Sequence, residues 1–162
     1  MELKIESVPL VFPENANIIL GQSHFIKTVE DLHEAMVNTN PRALFGIGFS
    51  EASGACEIRT SGTSSVLFDC AAQNLLALGC GHVFMVVIEE SFPINYLLRI
   101  KTVPEVVNIF CATANEVSVI VARNSRGGGV LGVIDGEAPK GIENEDGKQW
   151  RHDFLRKIGY KF

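Results

Sequence analysis

Apolar and polar positions alternate loosely from Leu3 to Leu10, and a short apolar run follows from Asn17 to Leu20; both patterns predict strands. Helical spacing then takes over at Val29, Leu32 and Met36, with Thr28-Val29-Glu30-Asp31 as the expected cap and Asn40-Pro41 as the stop. Ala43 to Phe49 reads as a strand, and Glu51-Ala52-Ser53-Gly54 as a turn into a second strand, Cys56 to Thr60. Val66 to Leu78 is a Leu- and Ala-rich helix with Ser64 or Ser65 as cap and Gly79 just beyond its end. The unbroken apolar run Val83 to Ile88 predicts a strand covered on both faces and central in its sheet. Pro93 opens a helix bearing Ile94, Leu97 and Leu98, which Val103-Pro104 ends. Val106 to Ala112, Glu116 to Ala122 and Val130 to Ile134 are further strands. Lys148 to Ile158 is a helix with Trp150, Phe154 and Ile158 on one stripe and Gly159 as its stop.

The connections set strand directions, because helical crossovers join strands of like direction and tight turns reverse them. The expectation is an α/β fold, bordering on α+β: one domain over residues 1–162 with a single mixed sheet and helical crossovers. In that sheet, the segment Gly21-Gln22-Ser23-His24, the turn Glu51-Ala52-Ser53-Gly54, the entry Gly79-Cys80-Gly81-His82 and the loop Ser125-Arg126-Gly127-Gly128-Gly129 all reach one edge. Two imidazoles, a carboxylate, hydroxyls, a guanidinium and a run of free backbone N–H groups then share one mouth, as a phosphate-handling site requires.

Composition narrows the possibilities. The 162 residues are 46% hydrophobic and 20% charged, enough for one core, and the formal net charge is -5 with no basic run suited to a nucleic-acid polymer. Cys56, Cys70, Cys80 and Cys111 form no CxxC pair and read as small residues of a reducing compartment. The charged start Met1-Glu2-Leu3-Lys4 and the lack of a membrane-length apolar run predict a soluble, cytoplasmic protein that does not engage membranes.

Each candidate also has a plain structural explanation. His82 by position alone is a partly exposed strand start, and His24 is no stronger. His33 flanks a helix stripe, His152 sits on a solvated face, and Glu51 or Glu89-Glu90 can simply decorate turns. Gly127, Gly129 and Gly132 match GxGxxG, yet they precede a strand instead of opening a helix, so a Rossmann reading fails. No Walker sequence or protein-kinase signature is present.

Several segments taken together resemble the adenosine-specific kinase family. They are Gly21-Gln22-Ser23-His24-Phe25-Ile26-Lys27-Thr28, Phe49-Ser50-Glu51-Ala52-Ser53-Gly54, Gly81-His82 and Cys111-Ala112-Thr113-Ala114-Asn115. Gly129-Val130-Leu131-Gly132-Val133-Ile134-Asp135-Gly136 and Phe154-Leu155-Arg156-Lys157-Ile158-Gly159-Tyr160 extend the likeness over nearly the whole chain. The resemblance implies a ring-like homo-oligomer, a trimer or hexamer, that binds adenosine or AMP and carries phosphate on a histidine. Beside it, the residues allow the following assignment. His82 is the nucleophile, since an unperturbed imidazole, with a pKa of about 6.5, offers a lone pair at neutral pH. Glu51 orients an imidazole or binds a ribose hydroxyl. Gln22, Ser23, His24, Ser53, Gly54 and the amides of Gly127, Gly128 and Gly129 contact phosphate or ribose, and Lys27 or Arg126 offsets charge. No cofactor beyond the nucleoside ligand is called for, and the phosphoryl donor is not specified by any motif. Two other classes remain open: a zinc hydrolase built on His24, His82 and Glu51, and an AMP sensor without catalysis.

Overall fold

The computed structural model describes residues 2–162. The order of elements is β1 (Lys4–Pro9), β2 (Asn17–Ser23), α1 (Thr28–Thr39), β3 (Leu44–Ser50), β4 (Ile58–Gly62), α2 (Ser65–Leu78), β5 (Val83–Glu89), α3 (Pro93–Lys101), β6 (Val106–Thr113), β7 (Val117–Arg123), β8 (Gly128–Asp135) and α4 (Glu145–Lys157). Among the described residues, no helix is long and apolar enough to cross a membrane.

The single mixed sheet is replaced by two antiparallel sheets, one ordered β4-β3-β5-β2-β6 and the other β1-β7-β8, so the fold is α+β. The strand directions expected from the connections hold, but the neighbours do not. β2 and β3 run the same way, as their crossover demands, yet β5 lies between them and is antiparallel to both. β2 likewise separates β5 from β6. Each helical connection therefore skips a strand, and the gap is filled by a strand running the other way. β7 leaves this sheet altogether to pair with β1 and β8.

Alternation along the central strands divides the core in two. Ile18, Leu20, Val83, Met85 and Val87 face α2 and the inner surface of the small sheet, where Val117, Val119 and Val121 meet them. Ile19, Phe45, Ile47, Phe49, Phe84, Val86 and Ile88 face α1 and α3 and enclose Leu32, Met36, Tyr96 and Ile100. The layers are thus α1 and α3, the five-stranded sheet, then α2 with the small sheet. β5 is central, and Val83 through Ile88 are all buried, as the unbroken apolar run predicts. Gly46 permits the closest contact: a Cβ there would stand 1.9 Å from the backbone nitrogen of Phe68 on α2.

Local signals are partly redirected. Thr28 is not the cap of α1; its hydroxyl donates back to Phe25 O at 2.7 Å, and Lys27 precedes the helix. Gly79 does end α2 in the left-handed region, with φ 56. β4 starts at Ile58 instead of Cys56, whose φ of 53 takes it out of any strand. α4 starts at Glu145, where the Asn144 side chain accepts from Gly147 N at 2.9 Å.

Candidate functional site

At one edge of the five-stranded sheet, the ends of β3 and β2 flank the start of β5. The His82 N–H donates to Ser50 O at 2.8 Å, and the Ser23 N–H donates to His82 O at 2.9 Å. Beyond Ser23, the His24 N–H donates to Glu105 O at 3.0 Å, so the row continues to the start of β6. His82 follows the alternation of Phe84 and Val86 onto the α1/α3 face, and its ring stacks on Phe49 with centroids 6.1 Å apart and planes at 18°.

Two depressions flank this row. The smaller, about 340 Å³, is lined by His24, Phe25, Ile26, Phe49, Glu51, Ala52, Ser53 and His82. The larger groove, about 700 Å³, lies toward α2 and the small sheet and includes Ser50, Glu51, Gly79, Gly81, Asn124, Arg126, Gly127, Gly128 and Gly129. The Gly127–129 loop reaches this edge from the second sheet through a bridge between Cys80 and Gly128. The ridge between the depressions is made by Glu51 and Ala52, which line both. Gly81 lies against that ridge, where a Cβ would approach Ala52 Cβ to 2.7 Å.

Three of the four non-glycine residues of positive φ among the described residues lie here, the fourth being Glu90 (φ 57) just past the far end of β5. Phe25 (φ 84) and His82 (φ 59) are bulky residues in the left-handed region, and Cys56 (φ 53) sits in the adjoining β3–β4 loop. Such conformations persist only where surrounding structure holds them, and they cluster at functional sites.

The expected single mouth is therefore two. The structure brings His24, Glu51, Ser53 and His82 together in the smaller depression, and Glu51, Arg126, Gly127, Gly128 and Gly129 in the larger. Gln22, Ser23, Lys27 and Gly54 line neither. Ser23 is fully buried, and its hydroxyl has no hydrogen-bond partner among the described residues. Lys27 is held 2.6 Å from Asp31 and 3.3 Å from the buried carboxylate of Glu105, which together raise its pKa. The run of free amides is interrupted: the Gly128 N–H donates to Gly79 O, the Arg126 N–H to Asn124 Oδ1, and Gly129 pairs with Ala122. Nor is the start of α1 an open anion site, because the amides of Thr28 to Asp31 all donate to carbonyls of Phe25 to Lys27.

Glu51 spends its hydrogen bonds on the β3–β4 connection and on neither imidazole. One carboxylate oxygen accepts from Glu57 N at 2.9 Å, and the other from Arg59 Nε at 3.0 Å and Nη2 at 2.9 Å. The Glu57 N–H chiefly, with Arg59 beside it, holds the Glu51 carboxyl below the ordinary carboxylate range. Glu51 is a clamp on the β3–β4 connection. Among the described residues, no group of three or more His, Cys, Asp or Glu is arranged to hold a metal ion, so the zinc site of His24, His82 and Glu51 is not formed. His33 stands apart, half-buried, with Nδ1 2.7 Å from Ser61 Oγ.

Residue patterns gave no role to Phe25, Ile26 or Phe49 in the smaller depression, nor to Ser50 and Asn124 in the groove. Phe49 reads as ordinary core from sequence, and only its place at the end of β3 puts it under the imidazole. Ser50 carries the clearest mark of the groove residues: its hydroxyl is buried and unpartnered among the described residues.

Comparison with known proteins follows the same outline. The crystal structure of the PH1918 protein from Pyrococcus horikoshii OT3 superposes with a TM-score of 0.95 at 38% identity, covering 99% of this chain and 99% of that one. The search of curated proteins found no match. The family model described as adenosine specific kinase matches residues 8–161, and the chain accordingly belongs to the adenosine specific kinase family.

Proposed function

We propose that the protein transfers a phosphoryl group to adenosine through a phosphohistidine on His82, and that AMP, the product, is held in the same place. The observation that carries this reading is His82 itself. Its backbone is strained, its amide and carbonyl are gripped by Ser50 and Ser23, and its ring is braced on Phe49 at the wall of a small depression. A nucleophile needs its lone pair held in one direction, and here the backbone that carries the imidazole is fixed and one face of the ring is covered by Phe49.

In the first step, a ring nitrogen forms a bond to phosphorus as the bond to the donor's leaving group breaks. In the second, a ribose hydroxyl of adenosine attacks that phosphorus, the N–P bond breaks, and the imidazole recovers its electron pair. His24, in the same depression, takes the hydroxyl proton. In this reading Ser53, which lines the same depression, contacts ribose or phosphate, and Arg126 and Gly127 supply contacts in the groove beyond the Ala52 ridge. Glu51 supports this by holding the ridge, in place of the orienting role expected for it.

Assembly belongs to the same proposal: the protein works as a homo-oligomer. α4 buries none of its residues and packs on no other element of the described chain to any extent. A TM-score of 0.95 over 99% of both chains requires this unsupported arm to superpose with its counterpart in a crystal structure. An arm without internal contacts that keeps its place is explained by a second copy holding it.

Calorimetry with adenosine, AMP and GMP, followed by a turnover assay, tests the reading. Adenosine and AMP bind and GMP does not, because adenine and guanine present reversed donors and acceptors on the same edge. Comparable affinity for GMP contradicts it, and tight adenosine binding without turnover under any phosphoryl donor marks a sensor instead of a kinase.

A further inference from the structure

We infer that Phe25 is the platform on which the purine ring stacks, an inference that rests on the nucleoside reading above. Five glycines of the chain also have positive φ, the conformation that glycine adopts without steric cost. At residue 25 the same kind of backbone, φ 84, carries a phenyl group instead. That ring is not used in the core, since Phe25 is 56% exposed.

Its backbone is nonetheless fixed from both sides. Phe25 O accepts from Thr28 Oγ1 at 2.7 Å and from Thr28 N at 3.1 Å, and the preceding His24 N–H donates to Glu105 O at 3.0 Å. The fold thus holds a conformation unfavourable for this residue at a point where its aromatic ring is exposed. The ring belongs to the depression containing His24 and His82, with Ile26 beside it, 45% exposed. The same lining includes the Phe49–His82 stack, where the chemistry is proposed. A nucleoside fits this division: its flat purine has an apolar face for Phe25 and Ile26, and its ribose extends toward the imidazoles. Phe25 touches the base and sets affinity; it takes no part in forming the phosphohistidine.

The test is calorimetric titration of adenosine into the wild type and Phe25→Ala, Phe25→Tyr and Phe25→Gly, with thermal melts of each free protein. Phe25→Ala weakens adenosine binding by roughly 10- to 100-fold, the range for losing an aromatic stacking partner of a base. Phe25→Tyr stays within about threefold of wild type, because it keeps the ring. Phe25→Gly binds as weakly as Phe25→Ala yet melts above the wild type, because glycine releases the strain at φ 84. A merely structural role for Phe25 predicts the opposite movement in melting temperature. Unchanged affinity in Phe25→Ala, or a lower melting temperature in Phe25→Gly, overturns the platform while leaving the kinase reading standing. Failure of the wild type to bind adenosine overturns the reading on which the platform rests.

Discussion

The Phe49 ring lies under the His82 imidazole, 6.1 Å between centroids and 18° from parallel. Phe49 is 1% exposed, and it joins the α1/α3 core to the one side chain proposed to make a covalent bond. Phe49→Leu keeps most of the buried apolar volume and costs about 1 kcal/mol of stability. It removes the flat surface, so phosphoryl transfer falls by about tenfold or more at temperatures where the variant is fully folded. Denaturant melts paired with a transfer assay check this, and an unchanged rate contradicts the bracing role.

Gly81→Ala tests the ridge between the two depressions. Its Cβ would meet Ala52 Cβ at 2.7 Å and Ala52 Cα at 3.1 Å, so the Glu51–Ser53 segment must shift. The expected cost is about 1–3 kcal/mol, with a loss of adenosine affinity that exceeds what a comparable destabilisation at a remote core position produces. Equal affinity in Gly81→Ala and the wild type would show that the ridge shapes neither depression.

The Glu51 clamp has a pH signature. The Glu57 N–H bond first, then Arg59, lowers its pKa below the ordinary 4.5. A group with a depressed folded-state value contributes stability fully above its unfolded value, and that contribution disappears as pH falls through the folded value. The melting-temperature gap between wild type and Glu51→Gln is therefore constant from neutral pH down to about 5 and closes below 4.5. A gap that widens on acidification contradicts the clamp.

The proposed assembly through α4 predicts that removing its aromatic pair dissociates copies without unfolding them. Trp150 is 66% exposed and stacks on Phe154 at 5.1 Å, on a helix that buries none of its residues. Trp150→Ser thus lowers the mass seen by light scattering while the isolated chain keeps its circular dichroism. A wild-type protein that is monomeric at micromolar concentration would remove this part of the account.

Much of this arrangement is legible from residue order alone. Val83 to Ile88 identifies the central strand because only a strand covered on both faces loses alternation, and the crossovers bring His24, Glu51 and His82 to one edge, whereas the Gly127 loop arrives there from the second sheet and lines a separate groove. Sheet membership is not legible. Nothing in Glu116 to Ala122 separates a sixth strand of one sheet from the middle strand of another, because both bury one face. Glu51 misleads for a related reason: a carboxylate at a turn looks free until its partners, Glu57 N and Arg59, are brought back by the hairpin. The strain at Phe25 and His82 has no sequence mark, since left-handed backbone is signalled by glycine and these positions carry large side chains.

Intact-mass spectrometry and acid lability after incubation with a phosphoryl donor bear most directly on the central claim. One acid-labile phosphoryl adduct should map to His82, disappear in His82→Ala, and persist in His33→Ala, whose imidazole is bound to Ser61 away from both depressions. An adduct that maps to His24, or that survives in a folded His82→Ala protein, would contradict the assignment.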